Sequence, residues 1–213
     1  MRHHLDVYVT MRSPYSYLAG PRIAEIAAME TVELALRPVY PIAIRVPGFF
    51  ETADPLWLGY LMRDTARVAE MQGIPFARPQ PDPIVQDLET SQVAAEQPHI
   101  RRLTRLAEAA REAGHGLAFY REVSTLIFGD MGPWNEGDAL ARAAARAGCD
   151  LAALDNAVAA DPDGFDAKIA LHEAAQRAAG HWGTPLLVYR GEPFFGQDRI
   201  EMCLWRMRQN GPL

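Results

Sequence analysis

The sequence predicts an α/β fold in which a βαβ unit at the start of the chain and a ββα unit at its end enclose a long helical segment. Apolar and polar residues alternate in short segments near the start of the chain, and short apolar segments flank a turn near its end, both of which are typical of strands. Between them the apolar residues recur with helical spacing and do not alternate at period two. With 213 residues and 49% hydrophobic content, the chain can bury a full core around this arrangement.

The predicted βαβ unit lies at the N-terminus. Leu5–Val9 alternates apolar and polar residues and is predicted as the first strand. Ser13 followed by Pro14 is typical of a helix start, because the serine oxygen can accept from an unpaired backbone N–H and proline suits the first helical turn. The apolar spacing continues this helix toward Met29, and a second alternating segment predicts a strand over Val32–Val39.

The middle of the chain is predicted to be all helical. Proline-rich connections over 41–47 and 75–83 separate stretches of helical periodicity. Gly148 and Gly180 stand where helix ends are expected. The predicted helices cover Leu56–Gln72, Thr90–Glu112, Leu117–Phe128, Gly137–Ala147, Leu151–Ala159 and Asp163–Ala179.

Strand character returns near the C-terminus. Pro185–Tyr189 and Pro193–Phe195 flank a turn at Arg190-Gly191, which predicts a hairpin. Gln197 or Asp198 is predicted to cap a last helix after this hairpin.

The order βαβ, helical block, ββα is that of a thioredoxin-like fold with a large all-helical insertion. No internal repeat or low-complexity segment interrupts it. We therefore expect a thioredoxin-like domain made of residues 1–40 and 180–213, and an inserted helical domain made of residues 41–179.

Composition argues against several classes of function. The net charge is −6 at pH 7, and no basic run is longer than Arg101-Arg102, so a nucleic-acid partner is not expected. Cys149 and Cys203 lie far apart, in neither a metal-ligand nor a redox spacing, and are expected to be small core residues. The N-terminus has no apolar stretch long enough for a signal or a membrane span, so we expect a cytoplasmic protein with no membrane partner.

Ser13 is the first candidate site residue. At a helix N-terminus the macrodipole and the unpaired N–H groups favour a negative atom, so a thiolate or carboxylate would be stabilised beside its hydroxyl. The thiolate is the reactive form of a thiol. The alternative interpretation is that Ser13 is an ordinary N-cap.

Thr184 and Pro185, just before the predicted hairpin, form the second candidate. A cis Thr184–Pro185 bond would leave backbone groups free to pair with an extended peptide, as a further strand would. The alternative is a trans proline at the first residue of a strand.

Gln197 and Asp198 form the third candidate. The Asp198 carboxylate could hold a ligand ammonium while adjacent helix N–H groups hold a ligand carboxylate, which together suit an amino-acid head group. The alternative is a plain capping aspartate.

Three segments, in this order, resemble the 2-hydroxychromene-2-carboxylate isomerases and the related kappa-class glutathione transferases, within the DsbA-like group. They are Ser13-Pro14-Tyr15-Ser16, Leu61-Met62-Arg63-Asp64 with Gly73-Ile74-Pro75, and Trp182–Pro185 with Gly191–Arg199. The resemblance covers nearly the whole chain.

The resemblance implies that glutathione is the cofactor. Ser13 would hydrogen-bond its sulfur and favour the thiolate. Thr184, with Pro185, would clamp the cysteinyl part, and Gln197 with Asp198 would bind the γ-glutamyl head. A metal site is not implied.

The implied activity is isomerisation of a small aromatic or conjugated acid. Two alternatives remain open at this stage: a kappa-class-like transferase, and a redox-inactive binding protein that holds a peptide against Thr184-Pro185. The expected partners are a small-molecule substrate and a second copy of the chain.

Two features depart from motifs considered above. Family members commonly run through a Leu-Gly-Gly stretch after the second strand, whereas this chain has Tyr40–Gly48, in which Arg45 is a candidate partner for a ligand carboxylate. His172-Glu173 resembles a zinc-protease helix, but Gln176 stands where the second histidine is needed. We expect that segment to be a solvated helix face.

Serine at both motif positions predicts that the protein does not exchange disulfides. Ser13 and Ser16 stand where a DsbA-type oxidoreductase carries the two cysteines of a CxxC motif. Because neither side chain can form a mixed disulfide, we expect no insulin reduction at catalytic ratios. Measurable turnover in that assay would contradict the prediction.

Overall fold

Within residues 2–87, 89–129 and 132–213, which the computed structural model describes, the chain forms a four-stranded sheet and ten α-helices. The strands are β1 (His3–Val9), β2 (Val32–Pro38), β3 (Leu186–Tyr189) and β4 (Glu192–Phe195). The helices are α1 (Pro14–Ala27), α2 (Ile42–Arg45), α3 (Phe49–Thr52), α4 (Pro55–Gln72), α5 (Pro98–Glu112), α6 (Gly116–Phe128), α7 (Ala139–Arg146), α8 (Leu151–Ala160), α9 (Pro162–Ala178) and α10 (Ile200–Arg208).

The sheet has the strand order β2-β1-β3-β4. β1 pairs in parallel with β2, with His3 opposite Val32, and antiparallel with β3, with Val7 opposite Leu187. β3 and β4 form an antiparallel hairpin, and α1 is the crossover between the parallel strands β1 and β2. The predicted βαβ and ββα units and the mixed α/β class are confirmed.

Both faces of the sheet are buried. Successive side chains of a strand point to opposite faces, and two consecutive residues of β1 lie in two different buried clusters. Val7 belongs to the main core, in which β1 packs with side chains of α1, α5 and α6. Its neighbour Tyr8 belongs to a smaller cluster on the opposite face, which also contains Val39, Leu186 and Val188. No helix in the described part of the chain is long and apolar enough to cross a membrane.

The predicted start of the α5 helix at Thr90 is wrong, since α5 begins at Pro98. The Gln97 side chain accepts from the Val85 N–H at 3.0 Å and donates to the Val85 carbonyl at 2.7 Å. These bonds hold the residues before Pro98 in an irregular conformation, and proline then suits the first helical position.

Two short helices, α2 and α3, lie in the proline-rich connection after β2 and were not predicted. Each has four residues, which is too short to show an apolar period.

The last helix begins later than predicted, at Ile200, behind a 3-10 turn over Gln197–Arg199. Neither Gln197 nor Asp198 caps it, and the Asp198 carboxylate instead accepts from the Arg199 guanidinium at 2.7 Å. The predicted cap is therefore wrong.

An ionic contact ties the helical segment to the end of β2. Arg105 of α5 donates to both oxygens of Asp166 on α9, at 2.8 and 2.6 Å, and the Tyr40 hydroxyl donates to the same carboxylate at 2.5 Å. The Arg105 hydrogen bonds hold the pKa of Asp166 below its usual range. A carboxyl group with a lowered pKa stabilises the fold above its unfolded-state pKa, and this stabilisation is lost as the pH falls through the folded-state pKa.

We expect Asp166→Asn to lower the free energy of unfolding at neutral pH by about 1–2 kcal/mol, because it removes charged hydrogen bonds from a partly exposed site. It should also flatten the loss of stability at acid pH, which in wild type sets in near the ordinary aspartate pKa of about 3.9 and continues at lower pH, because the pKa of folded Asp166 lies below that value. Urea unfolding across pH measures both quantities. Glu33→Gln, on an exposed carboxylate of β2, is the control, and equal pH dependence in wild type and Asp166→Asn would contradict the assignment.

Candidate functional site

Ser13 is the N-cap of α1, immediately after β1. Its backbone is extended, with φ −102° and ψ 116°, and its Oγ accepts from the Ser16 N–H at 3.2 Å. Pro14 occupies the first helical turn. Among the described residues, the Tyr15 N–H has no hydrogen-bond partner. The predicted cap is confirmed, and the free N–H favours a negative atom beside Ser13.

The Thr184-Pro185 loop lies against Ser13. The peptide bond between Thr184 and Pro185 is cis, so the alternative of a trans proline does not apply. The Ser13 hydroxyl donates to the Thr184 carbonyl at 3.3 Å. Within the described residues the Thr184 N–H has no partner, so it can donate to a ligand.

Gln197 and Asp198 line a neighbouring cavity of about 410 Å³ that runs along α1. The Gly196 N–H donates to the Pro185 carbonyl at 2.9 Å, which connects this segment to the Thr184-Pro185 loop. Gln197 also accepts from the Gln72 side chain at 3.2 Å. Ser13 and Thr184 are not among the residues that line this cavity, so the structure brings the predicted residues together as two adjacent groups.

Tyr15 joins α1 to α4. Its hydroxyl donates to Asp64 at 2.6 Å, and the Tyr60 hydroxyl donates to the same carboxylate at 3.1 Å. Burial, followed by the Asp64 hydrogen bond, raises the pKa of Tyr15 well above its ordinary value, so the phenol stays protonated. No site role was predicted for these three residues, although Tyr15 and Asp64 both lie in the segments that carry the family resemblance.

Four aromatic side chains, Phe49, Phe50, Trp57 and Trp182, form a cluster. The Phe49 ring is 5.8 Å from Trp57 and 6.0 Å from Trp182, with edge-to-face geometry in both pairs. Trp57 and Trp182 remain 40% and 43% exposed, so the cluster offers an open apolar surface. Local sequence patterns could not indicate this cluster, because Phe49 and Trp182 are separated by most of the chain.

The aromatic cluster is connected to Ser13 from both sides. Trp182 is two residues before Thr184, whose carbonyl accepts from Ser13. On the other side, the Arg12 guanidinium lies 5.6 Å from the centre of the Phe50 ring. Arg12 donates to both carboxylate oxygens of Asp82, at 3.1 and 2.7 Å, so its charge is already neutralised.

Arg45 does not face a ligand. Its guanidinium donates to the Gln176 side chain at 3.0 Å and to the Trp182 carbonyl at 2.9 Å. Its side chain is 6% exposed. The expectation that Arg45 partners a ligand carboxylate is wrong, because its donors are turned into the protein.

The α9 segment after His172 is not a solvated face. His172 is buried, with its Nδ1 3.1 Å from the Pro38 carbonyl oxygen, and Gln176 is fully buried.

Within the described residues no group of three His, Cys, Asp or Glu side chains could hold a metal ion. Both cysteines are free and buried, and burial raises the pKa of Cys203 to about 12 and also raises the pKa of Cys149.

Comparison with known proteins identifies the fold. The family model of the DSBA-like thioredoxin domain matches residues 4–207. A solved 2-hydroxychromene-2-carboxylate isomerase is 21% identical with a TM-score of 0.72, over 97% of this chain and 95% of that chain. A probable DsbA oxidoreductase from Streptomyces coelicolor is 18% identical with a TM-score of 0.68, over 100% and 93%. The cytosolic disulfide reductase DsbM from Pseudomonas aeruginosa, solved with GSH, is 17% identical with a TM-score of 0.64, over 97% and 99%.

At these identities the structural likeness establishes the fold, and the predicted thioredoxin-like class is confirmed. No curated protein matches the sequence at a significant level. The three solved structures include both an isomerase and disulfide enzymes, so the choice among activities depends on the side chains at the site.

The geometry at Ser13 predicts that a thiol placed there ionises readily. In Ser13→Cys, the start of α1 and the free Tyr15 N–H should lower the thiol pKa to about 7.5 or below, against an ordinary value of about 8.5. Thiolate absorbance in the ultraviolet measures this pKa, and the two native thiols do not interfere because their own pKa values are raised. Ala66→Cys, exposed in the middle of α4, is the matched control. Equal thiol pKa values in the two variants would contradict the prediction.

Proposed function

Because the chain belongs to the DSBA-like thioredoxin domain family, we propose that it is a glutathione-dependent enzyme of the 2-hydroxychromene-2-carboxylate isomerase type, acting on an aromatic or conjugated acid. The contact between Ser13 and Thr184 carries this proposal. It brings the N-terminus of α1 and the loop before β3 within one hydrogen bond, with Ser16 in place of a second cysteine. An external thiol would therefore supply the sulfur.

The residues present fit glutathione. Thr184 offers a free backbone N–H to the cysteinyl part of an extended peptide, and the Tyr15 N–H is free beside Ser13 for a thiolate. The cavity lined by Gln197 and Asp198 is adjacent, and an amino-acid head group bound there would use the Gln197 amide and would share the Asp198 carboxylate with Arg199. A structure solved with GSH among those of similar fold supports the same cofactor.

When bound, glutathione would supply a thiolate that adds to a conjugated carbon and later leaves it, so that a carbon–carbon double bond can rotate without net redox change. The Ser13 hydroxyl would donate to the sulfur and favour its ionised form, giving up its present 3.3 Å bond to Thr184. Thr184 would hold the cysteinyl backbone so that the sulfur stays beside Ser13.

The aromatic cluster would form the wall against which a flat substrate stacks. Edge-to-face packing leaves part of both tryptophans exposed, and aromatic pairs of this kind contribute beyond the area they bury. The acid group of the substrate stays a prediction, because the two arginines that contact residues of the cluster, Arg12 and Arg45, already have partners.

This absence of a free cation at Arg12 and Arg45 favours one second candidate, transfer of glutathione to an uncharged electrophile. The transferase would use the same Ser13 and Thr184 contacts and would differ in a product that retains the sulfur. A cytoplasmic location and a homodimer belong to either proposal. The name of the similar cytosolic disulfide reductase supports the location.

Calorimetric titration with glutathione and with S-methylglutathione tests the proposal. Binding of both is expected, and Ser13→Ala should raise the pKa of the bound thiol by roughly one to two units, because a charge-assisted hydrogen bond contributes about 1.5–3 kcal/mol. Gln197→Ala should weaken glutathione binding by roughly threefold to tenfold with little change in that pKa, because it acts at the far end of the ligand. Ultraviolet titration of the bound thiolate gives the pKa.

Two controls complete this experiment. Ser13→Ala also loses its cap, at a cost of about 1 kcal/mol, so its fold must be checked by circular dichroism. Gln209→Ala, on an exposed side chain at the end of α10, should leave both quantities unchanged. If Ser13→Ala left the thiol pKa unmoved while Gln197→Ala shifted it, the assigned roles would be wrong. If the protein bound an extended peptide but did not bind glutathione, the binding-protein alternative would be favoured.

A further inference from the structure

A buried polar group lies behind the Thr184-Pro185 loop. It consists of Arg45 from α2 with Glu173 and Gln176 from α9, which come from parts of the chain more than 120 residues apart. Gln176 is fully buried, and the Arg45 side chain is 6% exposed. Buried polar groups of this kind destabilise a fold unless they are hydrogen-bonded, so their partners matter.

Those partners are two successive backbone carbonyls of the loop. Arg45 donates to the Trp182 carbonyl at 2.9 Å, and the Gln176 amide donates to the Gly183 carbonyl at 2.7 Å. Arg45 also donates to the Gln176 side-chain oxygen at 3.0 Å, which fixes which end of that amide faces the loop. Arg45 and Gln176 therefore hold the two peptide groups that precede Thr184 in place.

The planar peptide group links these hydrogen bonds to the orientation of the Thr184 N–H. The Gly183 carbonyl and the Thr184 N–H belong to one trans peptide group, so they point in opposite directions. With the Gly183 carbonyl held by Gln176 inside the protein, the Thr184 N–H points away from Gln176, and within the described residues it has no partner. The preceding peptide group is fixed at both ends, because its carbonyl accepts from Arg45 and its N–H donates to His181 Nδ1 at 2.8 Å.

Burial of the charged groups of Arg45 and Glu173 is unfavourable, which argues against a purely structural role for them. Burial lowers the pKa of Arg45 and raises the pKa of Glu173. The closest carboxylate oxygen of Glu173 is 4.0 Å from Arg45 Nε, and that oxygen also accepts from the Tyr40 N–H at 3.0 Å. Apolar residues of similar volume often stabilise a buried site at least as well as an ion pair does.

We propose that Gln176, oriented by Arg45, is a positioning residue that aims the Thr184 N–H at the cysteinyl backbone of glutathione. This inference rests on the proposed function and adds two residues to it that do not touch the ligand. It differs from the notion that Arg45 binds a carboxylate, because the guanidinium acts through the Gln176 amide and the Trp182 carbonyl.

The test uses Gln176→Met, which keeps the side-chain length and removes the amide, and Arg45→Lys, which keeps the charge and removes the planar fork. The controls are Gln209→Met and Arg208→Lys, on exposed side chains of the last helix. Glutathione affinity should fall about fivefold or more in Gln176→Met, since it loses one oriented hydrogen bond, and less in Arg45→Lys. The pKa of the bound thiol should not move in either variant, because Ser13 is intact.

A second readout needs no ligand. The backbone amide signal of Thr184 in a ¹H–¹⁵N spectrum should shift in Gln176→Met while that of Tyr15 stays in place. The proposal is overturned if Gln176→Met binds glutathione as tightly as Gln209→Met, or if the bound-thiol pKa moves with it. If the wild-type protein does not bind glutathione, the proposed function fails. An unmoved Thr184 signal in Gln176→Met would overturn the positioning role by itself.

Discussion

The antiparallel pairing of β1 with β3 is the constraint on which the site depends. β1 hydrogen-bonds to β2 on one side and to β3 on the other, so it joins the first and last parts of the chain in one sheet. Because β1 and β3 run in opposite directions, the end of β1 lies beside the start of β3. Ser13 follows the first strand and Thr184 precedes the third, so two residues 171 positions apart meet at the end of the two central strands.

Much of the fold could be predicted because it follows from local patterns. The period-two alternation around Val7 and the short apolar segment around Leu187, bounded by turn residues, identified the strands, and Ser13 with Pro14 marked the start of α1 through cap chemistry that needs no tertiary contact. The same reasoning failed at Asp198. A cap depends on where the first helical turn begins, and a 3-10 turn moves that start to Ile200.

The supporting part of the site could not be predicted from local patterns. His172, Glu173 and Gln176 read as a polar helix face, and a polar face is usually solvated. Here it is covered by the end of β2 and the segment that follows it through α2, which supply its hydrogen-bond partners Pro38, Tyr40 and Arg45. Pairing of buried polar groups over such separations leaves no periodic signal in a single sequence, whereas the apolar core does.

The burial of both native thiols protects Cys149 and Cys203 from chemical modification. In the proposed function the enzyme would be exposed to alkylation and oxidation at its own sulfur atoms, and both reactions proceed through the thiolate. Cys203 is fully buried, and the raised pKa values of both thiols keep the thiolate fraction small at neutral pH. If the working sulfur arrives with a dissociable cofactor, as proposed, a damaged sulfur would be replaced by exchanging that molecule, and the polypeptide itself would be spared.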